Sequence, residues 1–342
     1  MAGAGGAAHH RGQNAAAPLV ARVFAALSDG VFHSGEELAR ALGVSRSAIW
    51  KATGALQRLG TTVHAVRNRG YRIANASDPL DATKIRERLP REAQDRVRTV
   101  ETLWSTSSTN SVLLARPDPP LGASEVLLAE HQTAGRGRRG RAWLAPPGGA
   151  ICLSMSWTFR EVPPDVGALS LVVGVCALRA LRDEGVTGAT LKWPNDLLLA
   201  GRKLGGVLIE LRAESAGPAS VVIGIGLNVA LGATVLRKIA QTGLAATDLR
   251  AAGLAAPSRN SIAAALVRSC LRGLGAFERE GLKPFIEEWR TADALRGRLV
   301  AVSGADGTAR GLARGVDVHG ALLVETPQGI RRFIAGDVTV RA

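Results

Sequence analysis

The chain has 342 residues, of which 46% are hydrophobic, and it carries 43 Lys and Arg against 29 Asp and Glu, a formal charge of +14. That length and apolar content exclude a disordered chain and allow two or three domains, each with its own core. The positive excess favours phosphate-bearing partners, nucleic acid or nucleotide, although an Arg-favouring genome produces the same excess.

Cys152, Cys176 and Cys270 lie far apart and lack metal-ligand spacing. A reduced, cytoplasmic setting with core thiols and no metal site is therefore expected. No apolar run reaches the ~18 residues a membrane span needs, so no membrane association is expected. The longest candidate, 166–178, contains Ser170 and two glycines and reads as a buried helix. Residues 1–17 are rich in Ala and Gly without a long apolar core, which predicts a disordered tail rather than a signal peptide.

A first domain is predicted over 18–77. Ser34 and Glu37 form a capping box for one helix, Gly43 supplies a turn, and Ser45 caps a second helix running to about Leu59. Ile49, Ala52, Leu56 and Leu59 share the apolar face of that second helix, leaving Arg46, Ser47 and Lys51 outside. Strands at 61–64 and 71–73 flank a basic tip, Arg67-Asn68-Arg69-Gly70. The pattern is a helix-turn-helix with a wing, in which Ser45, Arg46, Ser47, Lys51, Arg67 and Arg69 are the candidate DNA contacts. Residues 75–79 read as a linker.

A second domain is predicted over 78–293, with mixed helix and strand signals. Ser108, Thr109 and Asn110 precede a short helical stretch at 112–116, where they cap the helix or bind a small polar ligand. The segment 132–141, Gln-Thr-Ala-Gly-Arg-Gly-Arg-Arg-Gly-Arg, sets four arginines among glycines. Glycine lets the backbone approach a ligand, and guanidinium forks match carboxylate and phosphate oxygens, so the loop suits an anion or is a basic surface loop. It also fits the dinucleotide pattern G-x-G-x-x-G, but Pro146-Pro147-Gly148-Gly149 would break the helix that such a fold requires. Further on, Lys192-Trp193-Pro194-Asn195-Asp196 precedes a hairpin of 197–199 and 203–210. A strand at 221–229 carries Gly224 and Gly226 in its interior, which a ligand lying on the sheet would explain. Lys192, flanked by apolar residues, needs an anionic partner if it is buried. The last domain, 294–342, consists of short strands punctuated by glycines and should form a small β barrel.

The order Ser-Thr-Asn, Gln-x-x-Gly-Arg-Gly-Arg-Arg-Gly-Arg-x-Trp, Lys-Trp-Pro-Asn-Asp, Lys-Leu-x-Gly-Val-Leu-Ile-Glu and Gly-x-Gly-x-Asn resembles the biotin protein ligase family. With the helix-turn-helix in front, it resembles the bifunctional bacterial type. The resemblance implies an α+β fold: a winged helix-turn-helix, a central mixed sheet with helices, and an SH3-like barrel. It implies ATP-dependent formation of biotinyl-5′-AMP, with Mg²⁺ on the ATP. Transfer to a lysine of the biotin carboxyl carrier protein of acetyl-CoA carboxylase follows, together with biotin-dependent repression at operator DNA through a homodimer promoted by biotinyl-5′-AMP. Two other readings stay open, a ligase without a repressor role and a lipoate-type ligase.

By the same resemblance, Ser108, Thr109, Asn110, Gln132, Arg136, Gly137, Arg138, Lys192, Gly205 and Gly206 bind biotin. Arg138, Arg139, Arg141, Asn195, Lys203 and Asn228 bind ATP, and Lys192 and Arg138 are catalytic. Where relatives offer a Trp against adenine, this chain has Leu244.

Overall fold

The computed structural model describes residues 17–74, 77–213, 218–251, 253, 258–304 and 307–340. The tail expected at 1–17 therefore lies outside the described residues except for Ala17, as do linker positions 75 and 76.

The N-terminal unit comprises α1 (Leu19–Leu27), α2 (Gly35–Leu42), α3 (Arg46–Arg58) and the antiparallel hairpin β1 (Val63–Val66) and β2 (Gly70–Ile73). The capping box forms: Ser34 Oγ accepts from Glu37 N–H, and Glu37 Oε2 accepts from Ser34 N–H, each at 3.0 Å. Gly43 stops α2 at φ 65°, and Ser45 Oγ accepts from Ala48 N–H to start α3. Ile49, Ala52 and Leu56 pack on Val23, Phe24 and Leu27 of α1. Leu59, expected on the same face, is the C-cap residue and only half-buried.

The central unit begins with α4 (Ala82–Glu87) and α5 (Arg91–Arg96), then β3 (Val97–Thr106), α6 (Thr109–Leu114), β4 (Ser124–Gln132), β5 (Ala150–Phe159) and α7 (Leu169–Asp183). It continues through β6 (Ala189–Lys192), β7 (Asp196–Leu199), β8 (Arg202–Ala213), β9 (Ala219–Asn228), α8 (Ala233–Ala240), α9 (Arg259–Glu280) and α10 (Ile286–Thr291). The seven strands lie in the order β3-β4-β5-β9-β8-β7-β6, all pairs antiparallel except β3 with β4. Strand alternation divides the sheet into two faces. Val221, Ile223, Ile225 and Leu227 of β9 join the main core with α7 and α9, so Val222, Gly224, Gly226 and Asn228 point to the other face. That second face carries α6, through Leu113 against Leu127 and Val222. The expected two-strand hairpin is a three-strand meander. β6 has only four residues and no distinctive pattern of its own, and its outer edge is covered where Leu191 exchanges backbone hydrogen bonds with Ala292 and Ala294.

The C-terminal unit is a five-stranded antiparallel sheet of β10 (Leu299–Gly304), β11 (Gly307–Val316), β12 (Leu322–Thr326), β13 (Gly329–Phe333) and β14 (Asp337–Val340), ordered β13-β12-β11-β10-β14. Trp193 Nε1 donates to Gly320 O at 3.0 Å and ties this sheet to the β6–β7 turn.

The described part of the expected linker is anchored. Asp78 accepts from Arg259 N–H and Asn260 Nδ2 at the start of α9, and the fully buried Arg259 forks onto Glu130, both contacts at 2.8 Å. Glu130 in turn accepts from Leu80 N–H and Gly148 N–H. A buried carboxylate paired this completely avoids the penalty of an unsatisfied charge. The winged unit also touches the central one: Thr61 Oγ1 donates to Pro147 O at 3.2 Å, and Phe24 packs on Trp104. Among the described residues, no helix is long and apolar enough to cross a membrane.

Candidate active site

Strand register brings residues distant in sequence into one row. Lys192 opposes Asp196, Asp196 opposes Gly206, Gly206 opposes Gly226, and Gly226 opposes Cys152. Opposed residues share a face, so the row runs across the site face of five strands with a lysine at one end. A cavity of about 880 Å³ opens over it, bordered by α6, the Arg–Gly loop, β8, β9, the 242–246 and 294–298 segments and β14 of the C-terminal sheet. That volume suits a ligand the size of a nucleotide conjugate.

One end of the cavity is neutral and polar. Ser108 is the N-cap of α6, and Thr109 and Asn110 lie in its first turn, so the helix begins earlier than its sequence suggests. Gln132 Oε1 accepts from Thr109 N–H at 2.8 Å and from its hydroxyl at 3.2 Å, leaving the Gln132 amide nitrogen as a donor at the cavity. Ser154 Oγ lies 2.7 Å from Thr109 Oγ1 and 2.5 Å from Asn110 Oδ1. Asn110 Nδ2 donates to Glu210 Oε2 at 2.7 Å, and the other oxygen of Glu210 accepts from Arg136 at 2.8 Å. Arg136 also donates to Ser111 Oγ at 2.7 Å. Glu210, the last residue of the Lys-Leu-x-Gly-Val-Leu-Ile-Glu motif but given no role from the sequence, thus clamps α6 to the Arg–Gly loop.

The glycines of β9 have a partly internal explanation. A Cβ on Gly224 would lie 2.5 Å from Asn110 Oδ1, and one on Gly226 would lie 2.6 Å from the Trp143 ring. The space expected for a ligand holds these two side chains, and the ligand space lies beyond them. Trp143 is half-buried at the cavity wall, with Lys203 Nζ 5.9 Å from its ring centroid.

The cationic side chains fall into two groups. Arg136 pairs with Glu210, Lys203 with Asp196 at 2.6 Å, and Arg139 and Arg141 both with Asp337 of β14. Lys192 and Arg138 border the cavity and have no salt bridge among the described residues. Burial lowers the affinity of both for a proton. Asp196 opposes that at Lys192 while Lys203 and Arg141 add to it; at Arg138, Asp337 opposes it and Arg139 adds. Two partly desolvated cations without counter-ions hold a place for an incoming anion, and its arrival would reverse both shifts.

The remaining expected residues divide. Gly137, Asn195, Gly206 and Asn228 border the cavity. Asn195 Nδ2 donates to Val207 O, and Asn228 Nδ2 donates to Thr247 O at 3.0 Å, so both amides brace the wall. Gly205 is not brought to the cavity. It opposes Leu227 on the helix-packed face, where its lack of a Cβ admits Gly226 O. Arg139 reaches Asp337 and does not border the cavity, whereas Arg141 does both. Leu244 is 40% exposed at the rim.

On the winged unit, Ser45 is committed to capping α3, and Arg46, Ser47 and Lys51 are exposed along it. Arg67 and Arg69 are exposed at the hairpin tip, with Arg69 stacked 4.3 Å from the centroid of Phe32.

Three family models match the chain. One, described as the biotin/lipoate A/B protein ligase family, covers residues 103–228; an HTH domain covers 24–72; and the biotin protein ligase C terminal domain covers 297–341. The chain is similar to the bifunctional ligase/repressor BirA of Escherichia coli, with 37% identity over 94% of this chain and 97% of the relative. It is also similar to the biotin–[acetyl-CoA-carboxylase] ligase of Mycobacterium tuberculosis, with 36% identity over 76% of this chain and 95% of the relative. Among solved structures it is similar to the biotin protein ligase from Aquifex aeolicus in complex with biotin and ATP. The identity there is 26% and the TM-score 0.60, covering 71% of this chain and 99% of that one.

Proposed function

The chain belongs to the biotin protein ligase family, matching bifunctional ligase/repressors over nearly its whole length, and on that premise we propose the following chemistry for its cavity. Biotin is activated by ATP as biotinyl-5′-AMP, and the biotinyl group passes to a lysine of the biotin carboxyl carrier protein of acetyl-CoA carboxylase. The observation that carries this reading is the pairing pattern: of the cavity's described Lys and Arg residues, Lys192 and Arg138 are partly buried without a carboxylate partner, whereas Arg298, also without one, is exposed.

The neutral end takes the ureido ring, with Gln132 donating to its carbonyl and Ser108, Thr109 and Asn110 completing the polar wall. Arg136 and Gly137 border the valeryl chain, whose carboxylate lies at Lys192. A carboxylate oxygen then attacks the α-phosphorus, the bond to the bridging oxygen breaks, and diphosphate leaves with the electron pair. Two anions must meet, and Lys192 and Arg138 offset their repulsion without reorganising during the step. Arg141 and Lys203 hold the polyphosphate in exchange for Asp337 and Asp196, with Arg139 turning in from its place outside the cavity to join them, while Asn195 and Asn228 keep the wall in place. Trp143 offers the ring face for adenine that Leu244 does not. Mg²⁺ would come with the ATP and offset the charge of its polyphosphate. The neutral amine of the carrier lysine attacks the acyl carbon, AMP leaves, and the amide forms.

We further assign operator binding to the winged unit, homodimer formation to biotinyl-5′-AMP, and a cytoplasmic location to the chain. Domain junctions near 77 and 293 complete this reading. The ten-residue strand β3, at one end of the sheet, supports dimerisation by sheet pairing.

Incubation with Mg-ATP and either biotin or lipoate tests the reading. Biotinyl adenylate is expected and lipoyl adenylate is not; the reverse selects the lipoate-type alternative.

Two variants probe the walls. Glu210→Gln puts an amide nitrogen where one of two acceptors was required, so α6 and Arg136 lose their common tether. A lost charge-assisted hydrogen bond costs about 1.5–3 kcal/mol, so KM for biotin should rise roughly tenfold or more with a smaller change in kcat. An unchanged KM would show that the clamp does not position the biotin site. Arg138→Gly loosens the loop and removes a phosphate partner. Free biotinyl adenylate released per carrier modified should rise roughly tenfold. An unaltered ratio would exclude a lid function.

A further inference from the structure

Trp50 is 66% exposed in the first half of α3, among the most exposed of the chain's large apolar side chains. The helix turns Ile49, Ala52, Thr53 and Leu56 into the core of the winged unit. Helical spacing sets Arg46, Ser47, Trp50, Lys51 and Gly54 together on the opposite side. A Cβ on Gly54 would meet only the end of the Arg58 side chain at 3.6 Å, so the centre of this face is flat and open. The indole therefore stands on a low surface rimmed by Arg46, Lys51 and Arg58, with Arg67 and Arg69 on the neighbouring hairpin tip.

An apolar ring inside a ring of cations fits a partner that is polyanionic at its edges and apolar at a defined point within. The major groove of duplex DNA has that chemistry: phosphates border it, and the 5-methyl group of thymine is its apolar feature. The first half of such a helix is the part that enters the groove.

We propose that Trp50 is a specificity-determining residue that reads a thymine methyl in each half-site, while Lys51, Arg67 and Arg69 hold the phosphates. The inference rests on the DNA-binding reading given above and adds a base and an atom to it. Being uncharged, Trp50 contributes sequence preference without contributing to the salt dependence of binding, which separates it from every cation around it.

The test is selection from a randomised duplex library by the full-length chain with Mg-ATP and biotin, carried out for wild type and Trp50→Ala in parallel. Carrier biotinylation by the variant serves as the folding control. Wild type should enrich a two-fold repeated site with thymine fixed at one position per half. Trp50→Ala should lose that preference by roughly tenfold per half-site at an unchanged salt slope. Uracil in place of that thymine should weaken wild-type binding toward the variant's level and leave the variant unaffected. The inference is overturned if wild type and variant enrich the same site with equal affinity, or if uracil weakens neither. It is overturned equally if the variant alters only self-association, since the side chain would then face protein. Should wild type itself enrich no sequence, the DNA-binding reading fails first.

Discussion

Lys192→Met is expected to reduce biotinyl adenylate synthesis by at least 10²- to 10³-fold, about 3–4 kcal/mol in the barrier, while biotin binding changes far less. Methionine keeps most of the side-chain length, and the β6–β7 turn is held independently by the Trp193 contact to Gly320 and the Asn195 contact to Val207. What disappears is a charge that has no salt bridge among the described residues and faces the cavity at the end of the strand row. Charge stabilisation matters most where two anions approach, so kcat should fall more than biotin affinity. Rapid-quench measurement of the adenylate together with calorimetric biotin binding checks both halves. Near-normal turnover would remove Lys192 from the chemistry.

Replacing Lys51, Arg67 and Arg69 together with Ala should abolish operator binding at physiological salt and flatten its salt dependence. Each phosphate contact contributes close to 0.9 of a unit to the slope of log K against log salt. Three contacts in each half of a dimer amount to about five units. Arg69 is already held over Phe32, so little ordering is needed when it meets a phosphate. The three side chains are exposed on a unit whose contacts with the central one are made elsewhere, through Thr61 and Phe24. Adenylate formation should therefore persist. The measurement is a salt titration on the promoter of the organism's own biotin-synthesis genes, with and without biotin and ATP. Equal slopes for variant and wild type would show that these residues do not meet phosphate.

Local features were legible because local chemistry fixes them. The capping box at Ser34 and Glu37, the left-handed Gly43 and the Ser45 cap follow from side chains within three residues of the groups they satisfy. The Arg–Gly loop and Lys192 stood out from residue type alone, and the structure brings both to one cavity. Non-local features were not. Gly224 and Gly226 announced close approach, yet nothing in the strand says that Asn110 and Trp143 are what approaches. The Arg139–Asp337 pair spans 198 positions, and Arg259–Glu130 spans 129. Gly205 and Gly206 looked alike in sequence, but a strand has two faces, and only the register assigns one to the cavity and the other to the core.

In the proposed reaction one cavity makes an acyl adenylate that only a carrier lysine consumes. That reaction is tested most directly by supplying the chain with Mg-ATP, biotin and a carrier domain whose acceptor lysine is either intact or replaced by arginine. With the intact carrier, biotinylated carrier, AMP and diphosphate should form, with AMP and product in equal amounts. With the arginine carrier, diphosphate release should stop once every active site holds its adenylate. Continuous diphosphate release without an acceptor, or carrier modification that proceeds as well with lipoate as with biotin, would rule this reaction out.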